Sequence, residues 1–342
     1  MQLDKLQRGD KVAILSPSSG LAAVFPWVFD LGIERLKTEF DLVPIEYPTT
    51  RMTAASPQLR AIDINAAFAD PDIKGIITAI GGHDQIKVLK YIDQSIVSQN
   101  PKPFFGYSDN TNLHQLLWKL GIPAYYGGSI MTQFAMQGAM HEITTKSIED
   151  ALFNKGEVKL PIAESFTDTD LDWANESTLN DERKMEFNEG WYWDGVGQTE
   201  GILWGGCVET LTIQMETDKY LPAPEDMQDV VIYLETAEGI PEHWVIEYLL
   251  IALGERGILN MAKAVLVGRP KAWQLDKQLD TKQKAQYRKD QRDTVLRTVR
   301  EYSSSAIIIQ NMDFGHTDPQ IIVPSRNRAR IDSSDHSIFF TY

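Results

Sequence analysis

The chain is poor in cysteine, in long apolar runs and in basic charge, and each shortage removes a class of protein. Its single cysteine among 342 residues, Cys207, cannot form an internal disulfide or a cysteine-based zinc site, which suits a reducing compartment. No uninterrupted apolar stretch approaches the roughly 18 to 20 residues of a membrane-spanning helix. The opening Met1 to Lys5 lacks the basic and apolar regions of a signal peptide, so a cytoplasmic protein without a membrane partner is expected. There are 33 Lys and Arg against 48 Asp and Glu, a net charge of −15, which disfavours nucleic-acid polymers and anionic surfaces. A small or cationic partner is easier to accommodate. Metal-ligand clusters, repeats and low-complexity tracts are not evident, so no metal or cofactor is expected. What remains, 43% hydrophobic and 24% charged, is an ordinary globular composition long enough for two cores.

The first 155 residues alternate β-rich runs (11–16, 42–47, 73–80, 103–107, 124–126) with amphipathic helical runs (27–39, 58–68, 85–97, 112–120, 142–153). This alternation predicts an α/β, doubly wound parallel sheet whose ligands gather at the carboxyl ends of the strands. Residues 156–200 change character: between Glu164 and Glu200 lie eleven acids against Arg183 and Lys184, with Trp173, Trp191, Tyr192 and Trp193 interspersed. This stretch reads as a crossover loop, either solvated or covering a substrate with its aromatic rings. From residue 201 a second, smaller α/β unit is predicted, with strands at 201–204, 229–234, 262–267, 306–310, 321–323 and 337–341. Helices at 242–253 and 281–302 separate them, the latter with its Lys and Arg on a solvated face.

Chemistry concentrates at the ends of the predicted strands. Ser108 stands where a buried strand meets a helix, the geometry of a nucleophile elbow beside amides carrying the helix's partial positive charge. Capping by Ser108 or Asp109 explains the same residues, and Asn110 replaces the elbow's second glycine. A serine needs a base, and six histidines compete: His83, His114, His141, His243, His316 and His336. His316, in a glycine-flanked loop after an apolar strand, and His83, after Gly81 and Gly82, suit the role best. Glu235 ends an apolar strand, where a buried charge requires a partner, with Glu238 as a nearby rival. The amides of Gly82 and Asp109 are candidates for an oxyanion hole.

Taken together, Gly9 to Ser18, Ile80 to Asp84, Phe105 to Asp109, Gly201 to Gly206, Ile232 to Glu235 and Asp313 to Thr317 resemble, in order, the motifs of the LD-carboxypeptidase family of serine peptidases. The resemblance covers nearly the whole chain. It implies a flavodoxin-like N-terminal domain bearing the nucleophile Ser108, and a C-terminal domain bearing the acid Glu235 and the base His316. It also implies backbone N–H donors at Gly82 and Asp109, and a metal-free cytosolic homodimer. Cys207 stands where many relatives have Asn, and Ser325 where glycine is common. The long acidic crossover with its Trp191 to Trp193 cluster, together with Gly81 to Asp84, is closer to the microcin-immunity branch, which points to a peptidyl or aminoacyl nucleotide as substrate. His83, Trp191 and Trp193 are then substrate-binding candidates, and Arg269, Arg326 and Arg328 are candidates to read a substrate carboxylate. The alternatives are a muramoyltetrapeptide LD-carboxypeptidase of cell-wall recycling, an α/β-hydrolase esterase and a non-catalytic two-domain binding protein.

Overall fold

A computed structural model describes residues 3–342. The N-terminal half supplies β1 (Lys11–Leu15), β2 (Val43–Glu46), β3 (Ile73–Thr78), β4 (Phe104–Gly106) and β5 (Ala124–Tyr126). All pair in parallel, in the order β2-β1-β3-β4-β5. The order reverses between β1 and β3, which opens a crevice at the strands' carboxyl ends. Helices cover both faces, so the central strands are buried in continuous runs rather than alternating, Lys74 of β3 being exposed near the strand's start. The helix expected over 85–97 is instead two short ones, Ile86–Leu89 and Gln94–Gln99. Asp93 breaks the run because its carboxylate accepts the amides of Ser95 and Ile96 and starts a new helix.

The crossover contributes β6 (Glu157–Lys159), β7 (Ser165–Phe166), β8 (Glu186–Phe187) and β9 (Tyr192–Asp194). Beyond it lie β10 (Gln198–Cys207), β11 (Val230–Glu235), β12 (Ala264–Gly268), β13 (Ile307–Met312), β14 (Val323–Ser325), β15 (Arg328–Asp332) and β16 (Ser337–Thr341). A mixed sheet runs β6-β16-β15-β10-β11-β12-β13-β9, parallel from β10 to β13 and antiparallel on the flanks. β14 departs from expectation: it pairs antiparallel with β5 and so belongs to the first sheet. An unpaired strand edge invites a partner, and β14 closes that edge, so the C-terminal segment laces the two domains together.

The acidic crossover is solvated only in part: Glu176, Asp181, Glu182 and Glu189 are exposed, whereas Asp168, Asp170, Glu186 and Asp194 are paired. Buried Asp168 lies 2.6 Å from both Lys284 and Arg288 of the helix Thr281–Tyr302. The same two cations also reach Glu186. Arg300 binds Asp194, and Lys271 binds Asp170. The helix's basic side chains, expected on a solvated face, are therefore in part turned onto the crossover. The correction has a simple cause, since a buried carboxylate persists only when paired. Among the described residues no helix is long and apolar enough to cross a membrane.

Candidate active site

β4 ends at Gly106, and within two residues the chain enters a tight turn, Ser108–Asn110, and then the helix Thr111–Lys119. Ser108 takes φ +61°, a left-handed conformation that is uncommon for a residue with a side chain and clusters at functional sites. Its neighbour must be small: a Cβ on Gly81 would lie 2.8 Å from Ser108 Cβ and 3.0 Å from its Oγ. Asp109 does not cap its own helix. Its Oδ2 accepts the amides of Asp84 and Gln85 at 3.0 and 2.9 Å, and its Oδ1 accepts Asn112 Nδ2 at 2.9 Å. The serine turn is thereby tied to the Gly81–Gly82 loop.

Glu235 closes β11 and is 1% exposed. His316 lies in the loop after β13, and its Nδ1 donates to Glu235 Oε2 at 2.5 Å. Close approach of the two segments depends on Gly315, at φ +95°, where a Cβ would stand 2.7 Å from Glu235 Oε2. The other carboxylate oxygen accepts the Tyr126 phenol from β5, also at 2.5 Å. The imidazole packs edge-on against Tyr107, the residue before the serine, with ring centroids 5.0 Å apart. Beneath it, fully buried Arg269 and Asp313 pair at 2.7 Å, and Arg269 also reaches Thr317. The base loop is thus braced on both sides of His316.

The second imidazole nitrogen, Nε2, faces Glu238 Oε2 at 3.1 Å. Burial disfavours the charged ring, but the carboxylates of Glu235 and Glu238 outweigh it and raise His316 to about 10. In this resting arrangement the ring is an imidazolium at neutral pH. Burial and the Glu235 charge push the Tyr126 phenol well above its ordinary value, so it stays a donor.

Ser108 and His316 share a cavity of about 640 Å³, and Gly82 and His83 are on its wall. Trp191 and Trp193 do not line it. Trp191 is buried in the core with its Nε1 donating to Asp313 at 2.9 Å, and Trp193 stacks on His336 within the β9 region. Strand pairing of β9 with β13 draws this cluster into the second sheet, which corrects the expectation that it covers a substrate. Trp173 is the crossover aromatic that reaches the cavity, set edge-on against Phe25 at 5.8 Å and anchored by Trp27 Nε1 to its carbonyl oxygen.

The three candidate arginines are also elsewhere. Arg269 is committed to Asp313, Arg326 donates to the Trp118 carbonyl and lies over its ring, and Arg328 pairs with exposed Glu200. Lys271 and Arg183 are the lysine and arginine on the cavity wall. Of the other histidines, His114 is buried beneath the turn, where burial lowers it to about 4, and His243 contacts Thr294. Tyr126 was legible only as a strand residue. Its position at the carboxyl end of the strand beside β4 is the signal that could have singled it out.

Two domain descriptions match the chain: LD-carboxypeptidase N-terminal domain over residues 12–127 and LD-carboxypeptidase C-terminal domain over residues 200–331. A putative carboxypeptidase of Treponema pallidum is 26% identical over 96% of this chain and 91% of its own. An MccF-like protein from Streptococcus pneumoniae, solved in complex with AMP, is 28% identical, with TM-score 0.84 over 98% of this chain and 99% of that one. MccF, the microcin C7 self-immunity protein, solved with aspartyl sulfamoyl adenosine, shares the fold at TM-score 0.86 and 21% identity, covering 100% of this chain and 98% of its own.

Proposed function

The chain belongs to the LD-carboxypeptidase family of serine peptidases, and on that premise we propose that it hydrolyses the amide bond between an aminoacyl or peptidyl group and a nucleotide-like leaving group. The observation that carries this reading is one cavity holding the strained Ser108, the Glu235-paired His316 and the aromatic wall of Phe25 and Trp173. A planar indole beside the nucleophile gives a nucleobase a stacking surface, which a cell-wall stem peptide does not need. The AMP-bound relative supports the same choice. A non-catalytic binding protein has no use for a strained serine beside a carboxylate-oriented histidine.

In this reading Ser108 Oγ attacks the carbonyl while His316 Nε2 takes its proton, and Glu235 holds the ring and stabilises the imidazolium. The amides of Gly82 and Asp109 receive the oxyanion. His316 then protonates the departing nitrogen, and water attacks the acyl-enzyme with His316 as base. The test is turnover of an aminoacyl sulfamoyl adenosine beside an LD-tetrapeptide. Cleavage of the first supports the proposal. Cleavage of the tetrapeptide alone assigns the protein to cell-wall recycling instead.

A further inference from the structure

Resting on the reading of Ser108, Glu235 and His316 given above, we propose that Glu238 selects substrates whose acyl residue carries a basic side chain, exchanging His316 for the substrate's cation. Glu238 sits in the turn after β11, on the cavity wall, with a side chain that is 56% exposed. The base of the turn is pinned, since the Ala237 amide donates to both carboxylate oxygens of half-buried Glu209 at 3.2 and 3.1 Å. The tip is held by its contact with His316 Nε2.

That contact and catalysis exclude each other. Nε2 is the atom that must receive the Ser108 proton, within hydrogen-bond reach of about 3 Å, so Glu238 has to leave it in every turnover. The hydrogen bond to His316 holds Glu238 down to about 2, so the departing group is a carboxylate, which water solvates on its exposed side and which a cation brought by the substrate holds away from the ring. The cavity's own cations are engaged: Lys271 binds Asp170, and Arg183 lies 2.7 Å from Asp318. Lys271 is near enough to favour the Glu238 charge, yet its ammonium rests on Asp170. Of the acids on the wall, Asp170 and Asp318 are matched by Lys271 and Arg183, which leaves Asp172 and the departing Glu238 as the like charges that an acidic acyl side chain meets. A substrate ammonium or guanidinium supplies that cation: drawing Glu238 aside removes one of the two carboxylates that hold the imidazolium, so the Nε2 proton is released to water and the neutral ring can accept the proton of Ser108.

The proposal is tested with lysyl, norleucyl and glutamyl sulfamoyl adenosines, and in parallel with lysyl-, norleucyl- and glutamyl-D-alanine. Wild-type protein is compared with Glu238→Gln and Glu238→Lys after thermal melts verify folding. On whichever leaving group turns over, the wild type should favour lysyl over glutamyl by about tenfold or more in kcat/KM, norleucyl falling between. Glu238→Gln should erase most of that ratio, and Glu238→Lys should invert it. An unchanged ratio in both variants, or a wild-type preference for glutamyl, overturns the inference. Turnover of the D-alanine series alone rejects the nucleotide leaving group while the ratio still decides the role of Glu238. If neither series turns over, both readings fall.

Discussion

The Tyr126 phenol donates to Glu235 Oε1 at 2.5 Å, and its oxygen accepts the Ser108 amide at 3.2 Å. One oxygen atom thus joins the serine turn of the first sheet to the acid of the second. Tyr126 touches no cavity residue's reacting atom, so its part is positioning. A hydrogen bond to a charged group contributes about 1.5 to 3 kcal/mol, and Tyr126→Phe should lower kcat/KM roughly ten- to hundredfold. The variant also leaves the Glu235 charge more fully to His316, which holds the imidazolium more firmly. The acid limb of the kcat/KM profile should therefore move to higher pH. A fall in melting temperature with the limb unmoved would make Tyr126 merely structural.

Ser108→Ala should reduce kcat by about 10⁴ to 10⁶ with little change in melting temperature; His316→Ala should reduce it by a similar factor and also lower the melting temperature, since buried Glu235 loses its partner, and Glu235→Ala should cost less in kcat. Near wild-type turnover in a folded Ser108→Ala protein would reject the serine mechanism.

The pH dependence follows from the raised His316. Because kcat/KM reports the free enzyme, activity should rise with pH along a limb well above the ordinary histidine value of about 6.5. Glu238→Gln removes one of the two carboxylates holding the proton and should shift that limb downward. For stability the sign is that of a raised group. The contribution of the His316 ion pair is full below about pH 6.5 and is lost as pH rises through about 10. Melting curves over that window should show a steeper decline in wild type than in His316→Asn.

Two tryptophans of the crossover should behave oppositely. Stacking on a base is worth about 1 to 3 kcal/mol, so Trp173→Ala should raise KM for an aminoacyl nucleotide roughly 5- to 150-fold and barely alter cleavage of an LD-tetrapeptide. Trp191→Ala deletes a buried ring and its hydrogen bond to Asp313, so it should lower the melting temperature and affect both substrates alike. Equal KM changes on the two substrates in Trp173→Ala would remove the case for a nucleotide.

Asp168 is buried, and that burial opposes its charge, yet Arg288 and Lys284 hold it below the ordinary carboxylate range. Its stabilisation is therefore present above the unfolded carboxylate value of about 3.9 and lost as pH falls through the lower folded value. Asp168→Asn leaves buried Lys284 and half-buried Arg288 with only Glu186 to share and should destabilise the fold by about 3 to 5 kcal/mol. Denaturant titration at neutral pH measures this loss, and a loss below about 1 kcal/mol would show the crossover to be held by other contacts.

The alternation of apolar runs and helical periods was enough to read the parallel strands β1 to β5 and β10 to β13, because buried strands and amphipathic helices must declare themselves locally. Ser108, Glu235 and His316 stood out as candidates for a related reason, since each ends or follows an apolar strand where polar chemistry is otherwise costly, but the preference for them over Glu238 and His83 came from the family resemblance. The edge occupied by β14, the partners of the acidic crossover and the placement of the aromatic cluster were not, since each depends on residues more than a hundred positions away. Lys284 and Arg288 look like solvated helix residues until Asp168 is set beneath them. Trp191 and Trp173 are equivalent as letters in one acidic stretch, and only pairing of β9 with β13 sends the first into the core and leaves the second on the cavity wall. Tyr126 acquires its role from the meeting of two sheets and Glu238 from the meeting of two loops of the second sheet at His316, because a hydrogen bond between segments distant in sequence leaves no periodicity in either of them.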